Sequence, residues 1–248
     1  MTLKTRIAAH APLLGTFVKT PHPQVFEVLA QSALDLLVLD AEHAPFDRAA
    51  IDVCLMAARA GGMPVIVRPA DASPAAILNA LDCGADGVML PHIRSAAEAE
   101  AAVRAAHYGP GGRGYAGTPR AARYGLMSMA DHRAAARQTV VIAQIEDLDA
   151  LDDLEAIVAV AGIDAVFIGR ADLTIALGCV SPDDAPVVAA VDRICAVAKA
   201  AGRPVGMFLP RANDTAAWVA KGATLFFLSS DHEFLRAGAA ALRAEAGL

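Results

Sequence analysis

Eight short apolar runs, each followed by a segment with a helical pattern, constrain the fold of this chain more than any other feature. The runs are apolar throughout instead of alternating, which is typical of parallel strands covered on both faces. Eight strand–helix units predict an α/β fold of the (β/α)8 TIM-barrel type. A doubly wound open sheet is the alternative, because alternation along the chain does not by itself show closure. The predicted strands are residues 13–18, 36–40, 64–68, 87–90, 140–145, 165–169, 204–208 and 225–229.

The chain carries no sign of a domain boundary. No linker-like tract divides it, and several helical segments begin with cap signals such as Ser73-Pro74. A length of 248 residues fits one barrel of this kind. We therefore expect one TIM-barrel domain over residues 1–248.

Composition and charge narrow the functional classes. With 56% hydrophobic and 19% charged residues, the chain can bury a large core. A net charge of -6 and the lack of a Lys/Arg-rich run argue against nucleic-acid binding. No apolar stretch of about 18 residues is free of charge, so no membrane span is expected. Four cysteines without CxxC spacing, and an N-terminus without a signal-peptide core, predict a cytoplasmic protein.

Polar residues follow the predicted strands at the point where each strand ends. In a barrel these carboxyl ends meet at one rim and build the active site, so we expect the side chains to converge. Five histidines have no second ligand at helical spacing, which argues against a zinc site: His22, His92, His107, His132 and His232. The rim residues are Asp40, Glu42, His43, Arg68, His92, Gln144, Glu146, Asp147, Gly169, Arg170, Ala171, Asp172, Arg211, Ser229, Ser230, Asp231 and His232.

Two of these acids, Glu146 and Asp172, follow neighbouring strands and suit a hard divalent ion such as Mg²⁺ or Mn²⁺. The alternative is that both are ordinary acids in the first turn of a helix. An arginine can bind a carboxylate bidentately, and a histidine held by an acid can move a proton near neutral pH. Metal, arginine and histidine together fit the abstraction of a proton next to a carbonyl group.

The longest irregular segment, residues 107–125, is rich in glycine and carries Arg113, Arg120 and Arg123. Long loops in compact domains are usually either functional or mobile. Two interpretations stay open for this segment, a simple connector and a flap that contacts an anion.

Four segments resemble the signature segments of the HpcH/HpaI aldolase family: LDAEHAP (39–45), VIVRPA (65–70), AQIED (143–147) and FIGRADLT (167–174). Members of that family are metal-dependent (class II) pyruvate aldolases built on a TIM barrel. The resemblance implies cleavage or formation of 4-hydroxy-2-oxo acids, with pyruvate as the enolate donor and an aldehyde as the acceptor. It also implies a divalent metal cofactor, Mg²⁺, Mn²⁺ or Co²⁺.

The resemblance also implies a role for particular residues. His43 resembles the catalytic base, supported by Asp40, and Arg68 resembles the residue that stabilises the pyruvate enolate. Glu146 and Asp172 resemble the two protein ligands of the metal. The implied substrate contacts are Gln144, the backbone N–H groups around Gly169 and Ala171 for the pyruvate carboxylate, and Phe17 and Phe208 for the aldehyde pocket.

Relatives in this family assemble as hexamers, trimers of dimers, with the C-terminal helix exchanged between partners. Asp82 resembles a residue that reaches a neighbouring subunit's active-site histidine, although by sequence alone it is an ordinary acid at a helix end. Two features depart from the family. Arg170 stands where members often have proline, and residues 113–125 are richer in arginine.

Two other functions stay open. The arginine-rich segment is similar to that of relatives that handle polycarboxylates. A synthase or lyase that acts on a polycarboxylate or a thioester, like the siderophore-type citrate synthases, is therefore an alternative. A non-catalytic oxo-acid-binding barrel is the other alternative. The intact set Asp40, His43, Arg68, Glu146 and Asp172 argues against it, because a binder needs no base.

Overall fold

Within the residues that the computed structural model describes, 1–209 and 212–247, eight parallel strands close into a barrel in chain order. Arg211 lies outside these residues. β1 pairs with both β2 and β8, with Leu13 opposite Leu225, so the sheet has no free edge. The TIM barrel is therefore confirmed and the open sheet is excluded. The strands are β1 Leu13–Val18, β2 Leu36–Asp40, β3 Val65–Arg68, β4 Gly87–Leu90, β5 Val140–Ile145, β6 Ala165–Ile168, β7 Val205–Leu209 and β8 Ala223–Ser230.

The helices surround the barrel and alternate with its strands. The predicted strand positions are confirmed, and the largest shift is at β8, which begins at Ala223 and not at residue 225. Short 3-10 helices cover Arg120–Gly125 and Ala212–Asp214. The α-helices of the described ranges are α1 Leu3–Ala8, α2 Pro23–Leu29, α3 Arg48–Ala60, α4 Pro74–Asp82, α5 Ala96–Ala106, α6 Met129–Ala136, α7 Leu148–Asp152, α8 Leu154–Ala159, α9 Arg170–Ala176, α10 Ala185–Ala200, α11 Thr215–Ala220 and α12 Asp231–Glu245.

The strands are apolar throughout because both of their faces are buried. One set of side chains fills the barrel interior, and the other packs beneath the helices. Leu3 and Ile7 of α1 join the interior set and close the amino-terminal end of the barrel. At the opposite end Phe17, Phe167 and Phe227 pack together, with ring centroids 5.6 to 6.1 Å apart. These rings form an apolar floor beneath the carboxyl-terminal rim.

Side-chain caps fix where the helices begin after the rim. The Ser73 hydroxyl accepts the N–H of Ala76, and Pro74 takes the first helical position of α4. Asp47 caps α3 in the same way through the N–H of Ala50. Each such cap stabilises its helix by about 1 kcal/mol and sets the direction of the chain as it leaves the rim.

α12 differs from the other long helices because it leaves its apolar residues in water. Of its 15 residues, all of which the structure describes, only Asp231 is buried. Leu235 and Leu242 are 70% and 68% exposed, and Phe234 is 40% exposed. Several exposed large apolar side chains on one helix are typical of a surface that contacts another protein.

No helix in the described part of the chain is both long enough and apolar enough to cross a membrane.

Residues 107–125 follow α5 along the chain and pack against α3 and α4. Arg113 is buried and pairs with Asp82 at the end of α4. Arg120 donates from Nε and Nη2 to Asp52 of α3, at 3.2 and 2.7 Å. Among the described residues, none of this segment lines the large cavity at the rim. The segment is thus a connector and not a flap over this chain's own cavity.

Candidate active site

A cavity of about 340 Å³ opens at the carboxyl-terminal rim, above the phenylalanine floor. It is large enough for a small organic acid and is lined by residues from strands all around the barrel. Lys19, Arg170, Ser229 and Ser230 also line it. The site residues predicted from the sequence that line the cavity are Phe17, His43, Arg68, Gln144, Gly169, Ala171, Asp172 and Phe208.

Arg68 is held rigidly at the end of β3. Its Nε and Nη2 atoms lie 3.1 and 2.9 Å from Oδ1 of Asp40, and its Nη1 atom lies 3.1 Å from Oε2 of Glu42. The guanidinium also stacks over the ring of Phe17, 4.9 Å from its centroid. A planar cation fixed from two sides and against a ring is pre-organised to stabilise an oxyanion.

Asp40 lies beneath Arg68 and is fully buried. Its Oδ1 atom also accepts the backbone N–H of His43 at 3.1 Å, and the Nζ of Lys19 is 3.6 Å from its Oδ2 atom. Asp40 therefore supports His43 through the main chain. The His43 ring is 57% exposed, and its Nε2 atom lies 3.9 Å from Oε2 of Glu42.

Glu146 is buried at the end of β5, behind the cavity wall. Its Oε1 atom accepts the backbone N–H of His92 at 2.9 Å, and its Oε2 atom accepts a hydrogen bond from Gln144. Burial raises the pKa of the Glu146 carboxyl, and the charge of Asp172 acts in the same direction. The two carboxyls thus lie near enough for their charges to interact, and carboxylate oxygens are ligands that suit a hard divalent cation.

His92 joins this acidic cluster from the end of β4. Its Nδ1 atom is 2.9 Å from Asp147 Oδ2, and its Nε2 atom is 3.5 Å from Glu42 Oε1. Partial burial alone lowers the pKa of His92, but the hydrogen bond with Asp147 and the nearby negative charges outweigh this effect and raise it. Three residues each place one potential metal-ligand atom here, and these atoms all lie within 4.8 Å of one another: Glu42, His92 and Glu146.

The sequence places Glu42 and His92 at the rim but indicates a role for neither. The partners of His92 follow other strands, so they do not stand at helical spacing from it. The signal that was present is the position of both residues directly after a strand end.

The residues present fit a hard divalent cation. Glu146 belongs both to the predicted pair with Asp172 and to the cluster with Glu42 and His92. Carboxylate oxygens suit Mg²⁺ and Mn²⁺, and one imidazole is compatible with Mn²⁺ or Co²⁺. In both arrangements Glu146 would be the shared ligand.

Gly169 brings the β6–α9 turn against Glu146. A Cβ atom at this position would lie 2.5 Å from Oε2 of Glu146, so only glycine fits without a shift. Gly169 is also the N-cap of α9 and supplies no side-chain acceptor for the first turn. The N–H groups at the start of α9 are thus left for an anionic ligand.

Two non-glycine residues at the rim adopt left-handed backbone conformations. His92 has φ 54° and Ser229 has φ 61°. Such conformations are uncommon for residues with a side chain and are often kept at functional sites. The Oγ of Ser229 is buried without a hydrogen-bond partner among the described residues, beside the cavity that Ser229 lines.

Asp82 lies away from this cavity, at the end of α4, where Arg113 pairs with it. Its role toward a neighbouring subunit stays a prediction.

The chain is similar in sequence to a protein family and to several aldolases of known name. Residues 13–237 match the family model described as HpcH/HpaI aldolase/citrate lyase. The 5-keto-4-deoxy-D-glucarate aldolase of Klebsiella pneumoniae subsp. pneumoniae is 34% identical over 92% of this chain and 90% of its own length. The pyruvate aldolase of Rhizobium etli is 32% identical over 97% of this chain and 95% of its own length.

Solved structures are similar over nearly the whole chain. An HpcH/HpaI aldolase/citrate lyase family protein from Burkholderia cenocepacia superposes with a TM-score of 0.92 at 33% identity, and covers 98% of both chains. The citrate synthase SbnG superposes with a TM-score of 0.86 at 29% identity, over 99% of this chain and 97% of its own.

Proposed function

Because the chain belongs to the HpcH/HpaI aldolase/citrate lyase family, we propose that its rim cavity cleaves or forms 4-hydroxy-2-oxo acids, with pyruvate as the enolate donor and an aldehyde as the acceptor. The resemblance noted in the four sequence segments is confirmed by this membership, and so is the assignment as a carbon–carbon lyase. The observation that carries the proposal is the fixed Arg68 guanidinium, which faces the cavity from beside buried acids.

Pyruvate binds between the start of α9 on one side of the cavity and Arg68 on the other. The N–H groups at the start of α9, around Gly169 and Ala171, receive the carboxylate. The oxo oxygen then faces Arg68, and the Gln144 side chain contacts the substrate. Glu146 and Asp172 would hold a divalent cation, which would supply Lewis-acid stabilisation of negative charge.

Proton transfer falls to His43. Its exposed ring lines the cavity, and Glu42 lies near its Nε2 atom. The backbone N–H of His43 donates to Asp40, which fixes the position of the main chain that carries the ring. His43 takes a proton from the pyruvate methyl group, and Arg68 stabilises the negative charge that develops on the oxo oxygen.

The acceptor aldehyde enters on the apolar side of the cavity. Phe17 and Phe208 stand 6.2 Å apart by their ring centroids, and Phe208 is 40% exposed at the mouth. An apolar wall that opens to solvent suits the carbon chain of an aldehyde while leaving its far end free for other contacts.

A citrate synthase reaction is the second candidate, favoured by the similarity to SbnG. The two candidates differ in their products. We expect release of pyruvate from racemic 4-hydroxy-2-oxo acids, dependent on added Mg²⁺, Mn²⁺ or Co²⁺. Condensation of polycarboxylates or thioesters without pyruvate release, under the same conditions, would contradict the aldolase proposal and favour the synthase.

We also propose a homo-oligomer in the cytoplasm, a hexamer built as a trimer of dimers. The exposed apolar face of α12 supports exchange of this helix between subunits. All four cysteines lie in the described part of the chain and are free, which suits a reducing compartment. Sedimentation analysis would test the assembly, and a monomer at micromolar concentration would contradict it.

A further inference from the structure

We propose that Arg170 is a specificity-determining residue, which binds an anionic group carried by the acceptor aldehyde at the end away from its carbonyl. This inference rests on the proposed function for the identity of the acceptor. It concerns a part of the cavity that the pyruvate contacts do not use.

Arg170 stands where its side chain can reach a ligand. It is the first residue of α9 and lines the cavity together with Ala171 and Asp172. Its side chain is only 15% exposed, so a charge here is partly shielded from solvent. A charge-assisted hydrogen bond is worth more in such a setting than on an open surface.

The guanidinium has donors to spare. Its Nη2 atom lies 3.1 Å from the carbonyl oxygen of Pro182 and 3.3 Å from Oδ1 of Asp183. The Asp183 side chain is 89% exposed, so this ion pair is weak and easily replaced. The Nε–H group is buried and has no acceptor among the described residues. A buried donor without a partner is costly, and an anionic ligand would satisfy it.

Trp218 of α11 fixes the plane of this cation. The Arg170 guanidinium lies over its ring, 5.3 Å from the centroid. Lys221 also lies over this ring, at 4.8 Å. A guanidinium held against an aromatic ring loses little further freedom when a carboxylate or phosphate binds, which favours recognition of such groups.

Charge balance in the cavity points the same way. Among the described lining residues the cations are Lys19, Arg68 and Arg170. Lys19 and Arg68 both lie against Asp40. Arg170 has its carboxylate partner outside, at Asp183. It is therefore the lining cation that remains available to a second acidic group once the pyruvate carboxylate is bound.

The first test measures binding without turnover. Trp218 is the single tryptophan of the chain and lies against Arg170, so its fluorescence reports on this site. We expect saturable changes on titration with succinate or inorganic phosphate, and none with the neutral diamide succinamide. Arg170→Gln should weaken the anion response at least about 10-fold, and Arg170→Lys should weaken it less. Asp183→Asn is the matched control and should retain the response, because it removes only the outer ion pair.

The second test measures specificity. The ratio of kcat/KM for charged acceptors (succinic semialdehyde, glyceraldehyde 3-phosphate) to that for propanal and butanal should fall about 10- to 100-fold in Arg170→Gln. Comparison of the carboxylate with the phosphate identifies which anion is preferred.

The outcomes separate the two proposals. An unchanged acceptor ratio in Arg170→Gln, or an equal loss with all aldehydes, would overturn the inference and leave the aldolase intact. The absence of any anion response in the wild-type protein would overturn it as well. An anion response that depends on Arg170, in a protein that forms no aldol product, would support the anion site and contradict the proposed function alone.

Discussion

The Nη2 atom of Arg68 lies 2.9 Å from Oδ1 of Asp40, and the same oxygen also accepts from Nε of Arg68 and from the main chain of His43. One buried carboxylate oxygen thus positions both the proposed enolate-stabilising group and the segment that carries the proposed base. Removal of either Arg68 donor leaves Asp40 partly uncompensated, since its Oδ2 atom has no hydrogen bond among the described residues.

Arg68→Lys should lower turnover strongly although it keeps the charge. A lysine lacks the planar fork that places two donors on Asp40 and one on Glu42 and that stacks on Phe17. Because enolate stabilisation acts mainly in the transition state, kcat should fall by about 10²-fold or more while the KM for pyruvate changes little. Steady-state kinetics checks this. A change confined to KM would make Arg68 a binding residue only.

His43→Ala should reduce the aldol rate by about 10²- to 10⁴-fold, the usual contribution of a positioned acid–base group. Metal binding should persist, because His43 belongs to neither proposed ligand set. Rates and calorimetric Mn²⁺ titrations on the same preparation check both statements. His232→Ala is the matched control, since this rim histidine contacts Thr20 outside the cavity lining. Near-normal turnover of His43→Ala would move the base elsewhere.

A strong chelator should abolish activity, and added Mg²⁺ or Mn²⁺ should restore it, because few protein ligands hold the ion. Glu146→Gln should weaken metal binding whichever partners Glu146 has. Asp172→Asn should weaken it strongly, and Glu42→Gln less, since Arg68 already engages Glu42. Calorimetric titration of the chelated variants measures these effects. Full activity in excess chelator would refute the class II assignment, and a reversed order of the last two variants would favour the Glu42–His92–Glu146 cluster.

The contribution of His107 and His132 to the free energy of unfolding should fall as the pH drops below 6.5, the ordinary histidine pKa. Burial, with the charges of Lys4 and Arg113, lowers the pKa of His107, and burial with Arg113 lowers that of His132. Below pH 6.5 these two histidines bind protons more readily in the unfolded chain than in the folded protein. The stability that they contribute at higher pH is therefore lost. His107→Gln should make this slope shallower in denaturant titrations at a series of pH values. The same slope in His107→Gln and in the exposed-site control His10→Asn would contradict the assignment.

The apolar runs were sufficient to predict the barrel, because strands buried on both faces leave a strong pattern at short range. They also placed the rim residues, since in a closed parallel barrel every strand ends at the same face. The cluster of Glu42, His92 and Glu146 was not predictable, because these residues meet only across β2, β4 and β5. The left-handed backbone of His92 leaves no signature in a histidine.

For residues 107–125 the sequence left two interpretations open, a connector and a flap that contacts an anion. Their position after β4 along the chain does not by itself decide between them. α5 returns the chain toward the other end of the barrel first, and the arginines then pair with Asp82 and Asp52. Sequence neighbours of a strand are therefore spatial neighbours of its end only within the first few residues.

The close approach of Gly169 to Glu146 limits how this barrel could be redesigned for new substrates. Any substitution at 169 would displace the buried carboxylate shared by both proposed ligand sets, so a mutagenesis library that varies this position would consist mostly of damaged proteins. The adjacent side chain of Arg170 and the half-exposed ring of Phe208 stand at the cavity without that constraint. Combinatorial variation of 170 and 208 with 169 held as glycine would change what the cavity accepts while sparing the chemistry beneath it.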